Sequence, residues 1–333
     1  MAPLVELRWA VLVRRAPVMT PKQHAAAVAD PERRGAEIEV PADCPLCGGA
    51  RLQALLHVHD QKREPARWDY HAVRCAACGL LQRHPAIRPE RLGDLYSSGR
   101  YAGFLAGKYT RKRIRRYEVT MAPFGSLFES GEGRRLLDFG CGNGLFLDLA
   151  YARGFDCYGV DLAADAIEAA REKPSGRHAY HGSPTEIPEI AAGGFDVITL
   201  WSVLAHLPKP VEELTMLRRL LAPDGTLLLL TVNAGSLALK RQLSTWVGFT
   251  PNHLVFFSPQ TLPLLLRRAG FGAVVMPPWY GEAVDRGKSR LSPPAQRRLR
   301  RTVDRGNRGN MLRAAAFADP DGPHRWGLDG IPL

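Results

Sequence analysis

From residue 133 onward the chain alternates short apolar runs with amphipathic stretches. The runs at 135–139, 157–160, 196–200, 226–232 and 273–276 have the length and composition of buried strands. Between them, positions near 145–153, 163–172, 210–222 and 259–269 carry apolar residues at helical spacing. Strand and helix in alternation predict an α/β fold, a parallel sheet with helices on both faces. A basic, polar stretch at 285–308 reads as helix plus loop, and 310–317 as a closing strand. Upstream the pattern is different. Residues 1–40 lack periodicity and read as a flexible extension, 41–90 hold the paired cysteines, and 91–132 read as a helical linker or lid with a basic run at 111–116. The implied units are 1–40, 41–90, 91–132, 133–318 and a tail at 319–333.

The chain is 333 residues long, which suggests about two domains and a full core. Hydrophobic residues make up 45% and charged residues 23%, with mean hydropathy −0.18, which excludes a wholly disordered or collagen-like chain. No apolar run is long enough to predict a transmembrane helix. The net charge is +12, yet residues 133–284 carry 13 basic against 14 acidic groups, so the excess lies in the flanks. The first eighteen residues have no cleavable-signal layout and read as upstream read-through before Met19, with a weak amphipathic anchor as the alternative.

Cys44-Pro-Leu-Cys47-Gly48 and Cys75-Ala-Ala-Cys78-Gly79 are two copies of one turn. Each places two sulfurs on one side, and the glycine lets the backbone amides turn toward them. Four thiolates suit tetrahedral Zn²⁺ and leave it no open position, so the metal is expected to be structural. A redox dithiol would need only one pair. His57, His59, His71 and His84 are not needed as ligands, because four cysteines already fill the site. Intact thiols fit a reducing, cytoplasmic setting.

The stretch Leu136-Leu137-Asp138-Phe139-Gly140-Cys141-Gly142-Asn143-Gly144 is a strand, three glycines and a helix start. Glycines there let a ligand approach the backbone. A dinucleotide fingerprint would want a further glycine at 145, where Leu stands, so the loop suits a nucleoside cofactor without a pyrophosphate. Asp161 ends the next strand, where a carboxylate can take two ribose hydroxyls. Cys141 reads as packing rather than as a nucleophile.

With LLDFGCGNG at 136–144, GVD at 159–161, FDVITLWSVLAHL at 195–207 and LLAPDGTLLLLTVN at 220–233, the chain resembles the class I S-adenosylmethionine (SAM)-dependent methyltransferases. The resemblance covers 133–318 and implies a Rossmann-like seven-stranded sheet with SAM over the strand ends. It implies that Asp138, Gly140, Cys141, Gly142 and Gly144 surround the methionine part of SAM. Asp161 would hold the ribose and Leu162 would pack beside the adenine. Ser183 stands where the family often has Asp at the adenine edge. Trp201 would offer its face to the sulfonium, or simply pack in the core. The cysteine pairs followed by Tyr96 and Tyr101, with PNHLVFFS at 251–258, are similar to zinc-ribbon methyltransferases of bacterial natural-product and surface-sugar pathways.

These resemblances imply methyl transfer to O or C of a small-molecule acceptor, a sugar or secondary-metabolite intermediate. Histidine suits a base at neutral pH, and His253 is the candidate from its place after the fifth strand, with His206, at a helix start near the SAM side, the other. Two alternatives stay open: an RNA methyltransferase gripping phosphate with the ribbon and basic flanks, and a binding module that has lost activity. The sequence leaves the acceptor and the oligomeric state open.

Overall fold

Backbone pairing divides the strands among three sheets. The computed structural model describes residues 2–18, 39–40, 43–58, 70–88, 110–279, 292–328 and 331–332. The N-terminal part opens with helix α1 (Ala2–Arg15). Strands β1 (Glu39–Val40) and β5 (Ala86–Ile87) form an antiparallel pair. Between them run β2 (Leu52–Val58), β3 (Tyr70–Cys75) and β4 (Leu81–His84), an antiparallel meander. One cysteine turn precedes β2 and the other follows β3.

Helix α2 (Thr110–Met121) leads into the large sheet. The main elements that follow, in chain order, are β6 (Arg135–Phe139), α3 (Leu145–Tyr151), β7 (Asp156–Asp161), α4 (Ala164–Arg171), β8 (His178–His181) and β9 (Phe195–Trp201). Next come α5 (Pro210–Leu220), β10 (Leu221–Val232), α6 (Leu237–Gln242), β11 (Val255–Phe256), α7 (Thr261–Arg268), β12 (Ala273–Val275), α8 (Pro293–Asp304), β13 (Met311–Phe317) and β14 (Ile331–Pro332). The sheet order is β14-β12-β13-β10-β9-β6-β7-β8. Strands β6 to β10 pair in parallel, while β13 runs antiparallel between β10 and β12. The seven expected strands are present, with the two-residue β14 added at the edge.

Both faces of this sheet are covered, which explains its unbroken apolar runs. On β10, Leu227 and Leu229 enter one buried cluster, and Leu228 and Leu230 enter the other. On β13, Ala314 and Ala316 face the first and Ala315 the second.

The structure departs from the sequence reading in three places. Residues 2–15, expected to be unstructured, are helical: Trp9 and Val13 pack on a cluster with Leu55 and Trp246, and Glu6 pairs with Lys240 at 2.6 Å and Arg308 at 2.8 Å. That docking face is spread too thinly over 14 residues to show as periodicity. The short strand β8 escaped notice because its residues, His-Ala-Tyr-His, are not an apolar run. Finally, the ribbon is not confined to 41–90. Strand β11, far along the chain, is the fourth strand of its sheet, pairing antiparallel with β4. Two residues are too few to predict a strand, and their partner lies across the whole domain. Tyr96, Tyr101 and His59 lie outside the described residues. Among the described residues no helix is long and apolar enough to cross a membrane.

Candidate functional site

The carboxyl ends of β6, β7 and β9 converge on the glycine loop. Gly140, Gly142 and Gly144 have φ of 79°, 54° and 73°, in the left-handed region. A Cβ on Gly140 would lie 2.4 Å from Cγ2 of Val203, so the loop and the turn after β9 touch because glycine stands there. The amides of Gly140 and Cys141 donate to the Val160 carbonyl, at 2.8 and 3.1 Å. The Gly142 amide donates to Oδ2 of Asp161 at 2.8 Å, and the Ala163 amide to Oδ1 at 2.9 Å. Asp161 thus fixes the loop, and each carboxylate oxygen still has acceptor capacity for a hydroxyl. Burial raises its pKa, against the pull of those amides.

Asp138 lies beneath the loop. It is 1% exposed, and its carboxylate accepts the Thr199 hydroxyl at 2.7 Å from the neighbouring strand β9. Burial pushes its pKa up to about 7. Cys141 is buried against Gly159, and burial holds its thiol pKa well above the ordinary value, so it packs as a neutral thiol.

The rim beyond Asp161 joins β7 to β8. The Gly182 amide donates to the Asp161 carbonyl at 3.1 Å, and His181 Nε2 lies 3.2 Å from the Leu162 carbonyl. Leu162 and Ser183 therefore share one rim. Leu162 is 66% exposed, an apolar side chain left open beside polar neighbours. Ser183 Oγ lies 3.0 Å from Thr185 Oγ1.

At the end of β9, Trp201 packs with Phe146 (4.7 Å between ring centroids) and Tyr117 (5.2 Å). It is buried as a core residue, yet its Nε1 has no hydrogen-bond partner among the described residues. Helix α2 brings Arg113 to this corner. Its guanidinium donates to Asn143 Oδ1 at 3.4 Å, in the glycine loop, and to the Tyr117 hydroxyl at 3.3 Å. Sequence reasoning took Arg113 as part of a charge run and missed it. The signal was its spacing of four from Tyr117, which puts both on one helix face.

The two histidines come together. His206 ends the short turn Leu204–His206, just beyond Val203, and the His253 loop docks against it through Leu254 N to Ala205 O at 2.8 Å. Their rings lie 4.7 Å apart at 62°. His206 Nδ1 is 2.7 Å from the Asn252 carbonyl, and His253 Nδ1 is 2.7 Å from the Gly248 carbonyl. Both carbonyls are acceptors, so the neutral rings carry their proton on Nδ1. His253 Nε2 engages no described residue. Burial lowers the pKa of both; with His206 beside it, His253 falls to about 3.

The cysteine turns meet as the spacing implied. All four Sγ atoms of Cys44, Cys47, Cys75 and Cys78 lie within 4.8 Å of one another, with Cys44–Cys78 and Cys47–Cys75 at 3.5 Å. A tetrahedral zinc with bonds of about 2.3 Å spaces its sulfurs by roughly 3.8 Å, so the four fit such an ion. Gly49 leaves just the room needed: a Cβ there would press on two sulfurs at 3.2 Å. Burial raises the pKa of Cys44 and Cys78, the latter to about 11, whereas at Cys75 the backbone amides and neighbouring thiols outweigh burial and lower it.

Compared with known proteins, residues 109–275 match a family described as a methyltransferase domain. The match begins at α2, so that helix, read from sequence as linker, lies within it. The ubiquinone biosynthesis O-methyltransferase of Aromatoleum aromaticum is 29% identical over 152 residues, 41% of this chain and 64% of that protein. The protein of the same name from Methylococcus capsulatus is 34% identical over 120 residues, 35% of this chain and 49% of that protein. The chain thus spans less than two thirds of these relatives. A crystal structure of a SAM-dependent methyltransferase from Archaeoglobus fulgidus aligns with 64% of this chain and 98% of that one, at 21% identity and a TM-score of 0.48.

Proposed function

The chain belongs to the methyltransferase-domain family, and on that premise we propose that it moves the methyl group of SAM to oxygen or carbon of a small-molecule acceptor, with His253 as base. The observation that carries this reading is the adjacency of two sites. The glycine loop fixed by Asp161 touches Val203, and the turn beginning there holds His206 against His253.

SAM, when bound, supplies a methyl on a sulfonium, an electrophile with a good leaving group. The chain's residues would do the rest. Asp161 would accept the ribose hydroxyls, Leu162 would cover a face of the base, and Ser183 would meet its edge. The glycines at 140, 142 and 144, with Cys141 packed behind them, would let the methionine part lie against the backbone. Asp138 and Trp201 would wall that end, and the Arg113 guanidinium would face its carboxylate. Most of the rate would come from holding acceptor and methyl in line.

His253 is the better base of the pair, because its Nδ1 proton is held by the Gly248 carbonyl and its Nε2 is left as an acceptor among the described residues. A ring with a pKa of about 3 is a weak base toward a resting hydroxyl. It suffices late in the reaction, since an oxygen gaining a methyl becomes far more acidic. The relatives' names support oxygen as the target. The four cysteines would hold zinc, whose role with four thiolates is structural. Exposed to oxidation such a site would be lost, so we place the protein in the cytoplasm.

The test is transfer of labelled methyl from SAM into a host extract split into RNA and metabolite fractions. Label in the metabolite fraction supports the proposal. Label in nuclease-sensitive, acid-precipitable material sinks it.

A further inference from the structure

The ribbon does more than stand beside the catalytic sheet, because one of its residues holds both ends of the His253 segment. Strand β4 pairs with β11 through Leu81 with Phe256 and Gln82 with Val255. The next ribbon residue, Arg83, continues the ladder: its amide donates to the Leu254 carbonyl at 2.8 Å. Its side chain turns back under the loop. Nη1 donates to the Pro251 carbonyl at 3.0 Å and Nε to the Pro85 carbonyl at 3.2 Å, with the guanidinium 4.6 Å over the Tyr70 ring. Residues 251 and 254, which bracket His253, are therefore both tied to one ribbon residue. On the other side the segment is tied to the sheet by Ala205 and His206.

Arg83 is only 1% exposed. A buried guanidinium is costly, and mere packing would be served better by an apolar side chain. What arginine adds is a rigid fork that bridges the ribbon carbonyl of Pro85 and the loop carbonyl of Pro251. The other end of β4 is anchored near the four cysteines. The Cys75 amide donates to the Leu80 carbonyl at 2.9 Å, and Arg268 of α7 donates to the Leu46 carbonyl, inside the first cysteine turn, at 2.6 Å. Residues 80–83, hydrogen-bonded to Cys75 at one end and to Leu254 and β11 at the other, thus join the second cysteine turn to the segment that carries His253.

We propose that Arg83 is a positioning residue for methyl transfer, through which the four-cysteine centre sets the orientation of His253. The proposal rests on His253 being the base. Displacement of a reacting group by about 1 Å can cost on the order of a hundredfold in rate. The substitution Arg83→Met keeps the length and removes the fork, while Arg83→Lys keeps the charge.

The experiment is a double-mutant cycle. Single-turnover transfer of labelled methyl is followed at saturating SAM, with the host metabolite fraction as acceptor pool. R83M is expected to lower the rate by about 10- to 100-fold, with zinc content and SAM affinity within about twofold of wild type, and R83K to recover part of the loss. In a His253→Ala background, R83M should cost almost nothing more. An R83M rate like wild type, or an undiminished R83M cost in the His253→Ala background, overturns the proposal. An unchanged rate in His253→Ala alone overturns the base assignment itself, and the proposal with it, which is a different result. If R83M does not fold, the ring-nitrogen resonances of His253 in the wild-type chain answer instead. Stripping zinc should shift them while SAM still binds, and unshifted resonances overturn the proposal.

Discussion

Burial disfavours the charged forms of both Asp138 and His253, but their effects on stability have opposite signs. Asp138 has a folded pKa of about 7, above its unfolded value near 4. Its contribution is complete below pH 4 and is lost as pH rises through 7. His253 has a folded pKa of about 3, below its unfolded value near 6.5. Its contribution is complete above pH 6.5 and is lost as pH falls toward 3. Each changes stability by at most about 1.4 kcal/mol per pH unit between its two values, so the two offset between about pH 4 and 6.5. Single replacements should uncover one slope each. Urea melts of Asp138→Asn should give greater stability at pH 6.5 than at 4.5, by roughly 2 kcal/mol, and melts of His253→Gln the reverse. Parallel slopes in both variants would contradict the assignment. At Asp161 the expected effect is on binding: Asp161→Ala frees the Gly142 and Ala163 amides and should weaken SAM at least about tenfold by calorimetry. Affinity within twofold of wild type would remove Asp161 from the site.

Among the elements, the glycine loop is the most constrained. Gly140→Ala puts a methyl 2.4 Å from Val203 and an L-residue at φ 79°. We expect a loss of about 1–3 kcal/mol and weaker SAM binding in thermal melts with and without SAM. A melting temperature that SAM raises as much as in wild type would show that the loop does not carry the cofactor. This loop was legible in the sequence because its chemistry is local: strand, Asp, glycines and helix follow one another without a gap. The core strands were legible for the same reason, since burial on both faces leaves uninterrupted apolar runs such as 226–232. The cysteine cluster was legible from two short spacings. What the sequence hid was non-local. Strand β11 is two residues long and has meaning only through β4. The histidines read as rivals, whereas packing of one turn against one loop makes them neighbours. Arg113 and Arg83 looked like two more arginines in an arginine-rich chain, and only their partners, Asn143 and Pro251, distinguish them.

For the molecule as a whole, the ribbon and the large sheet are not independent. Cys44, Leu46, Leu80 and Ile87 belong to the same apolar cluster as Leu254, Val255, Leu265 and Leu266. Disrupting the four-cysteine cluster should therefore be felt beyond residues 41–90. Treatment with a strong chelator should lower the melting temperature of the full chain by several degrees and slow methyl transfer, with both restored by Zn²⁺. A chelated protein with unchanged melting and rate would make the cysteine cluster incidental. The most direct test of the account is the transfer rate of His253→Ala at saturating SAM, with SAM affinity measured on the same protein. Affinity should stay close to wild type and the rate should fall by about 10²–10⁴-fold. A rate close to wild type, or a loss of affinity that accounts for the fall in rate, would contradict it.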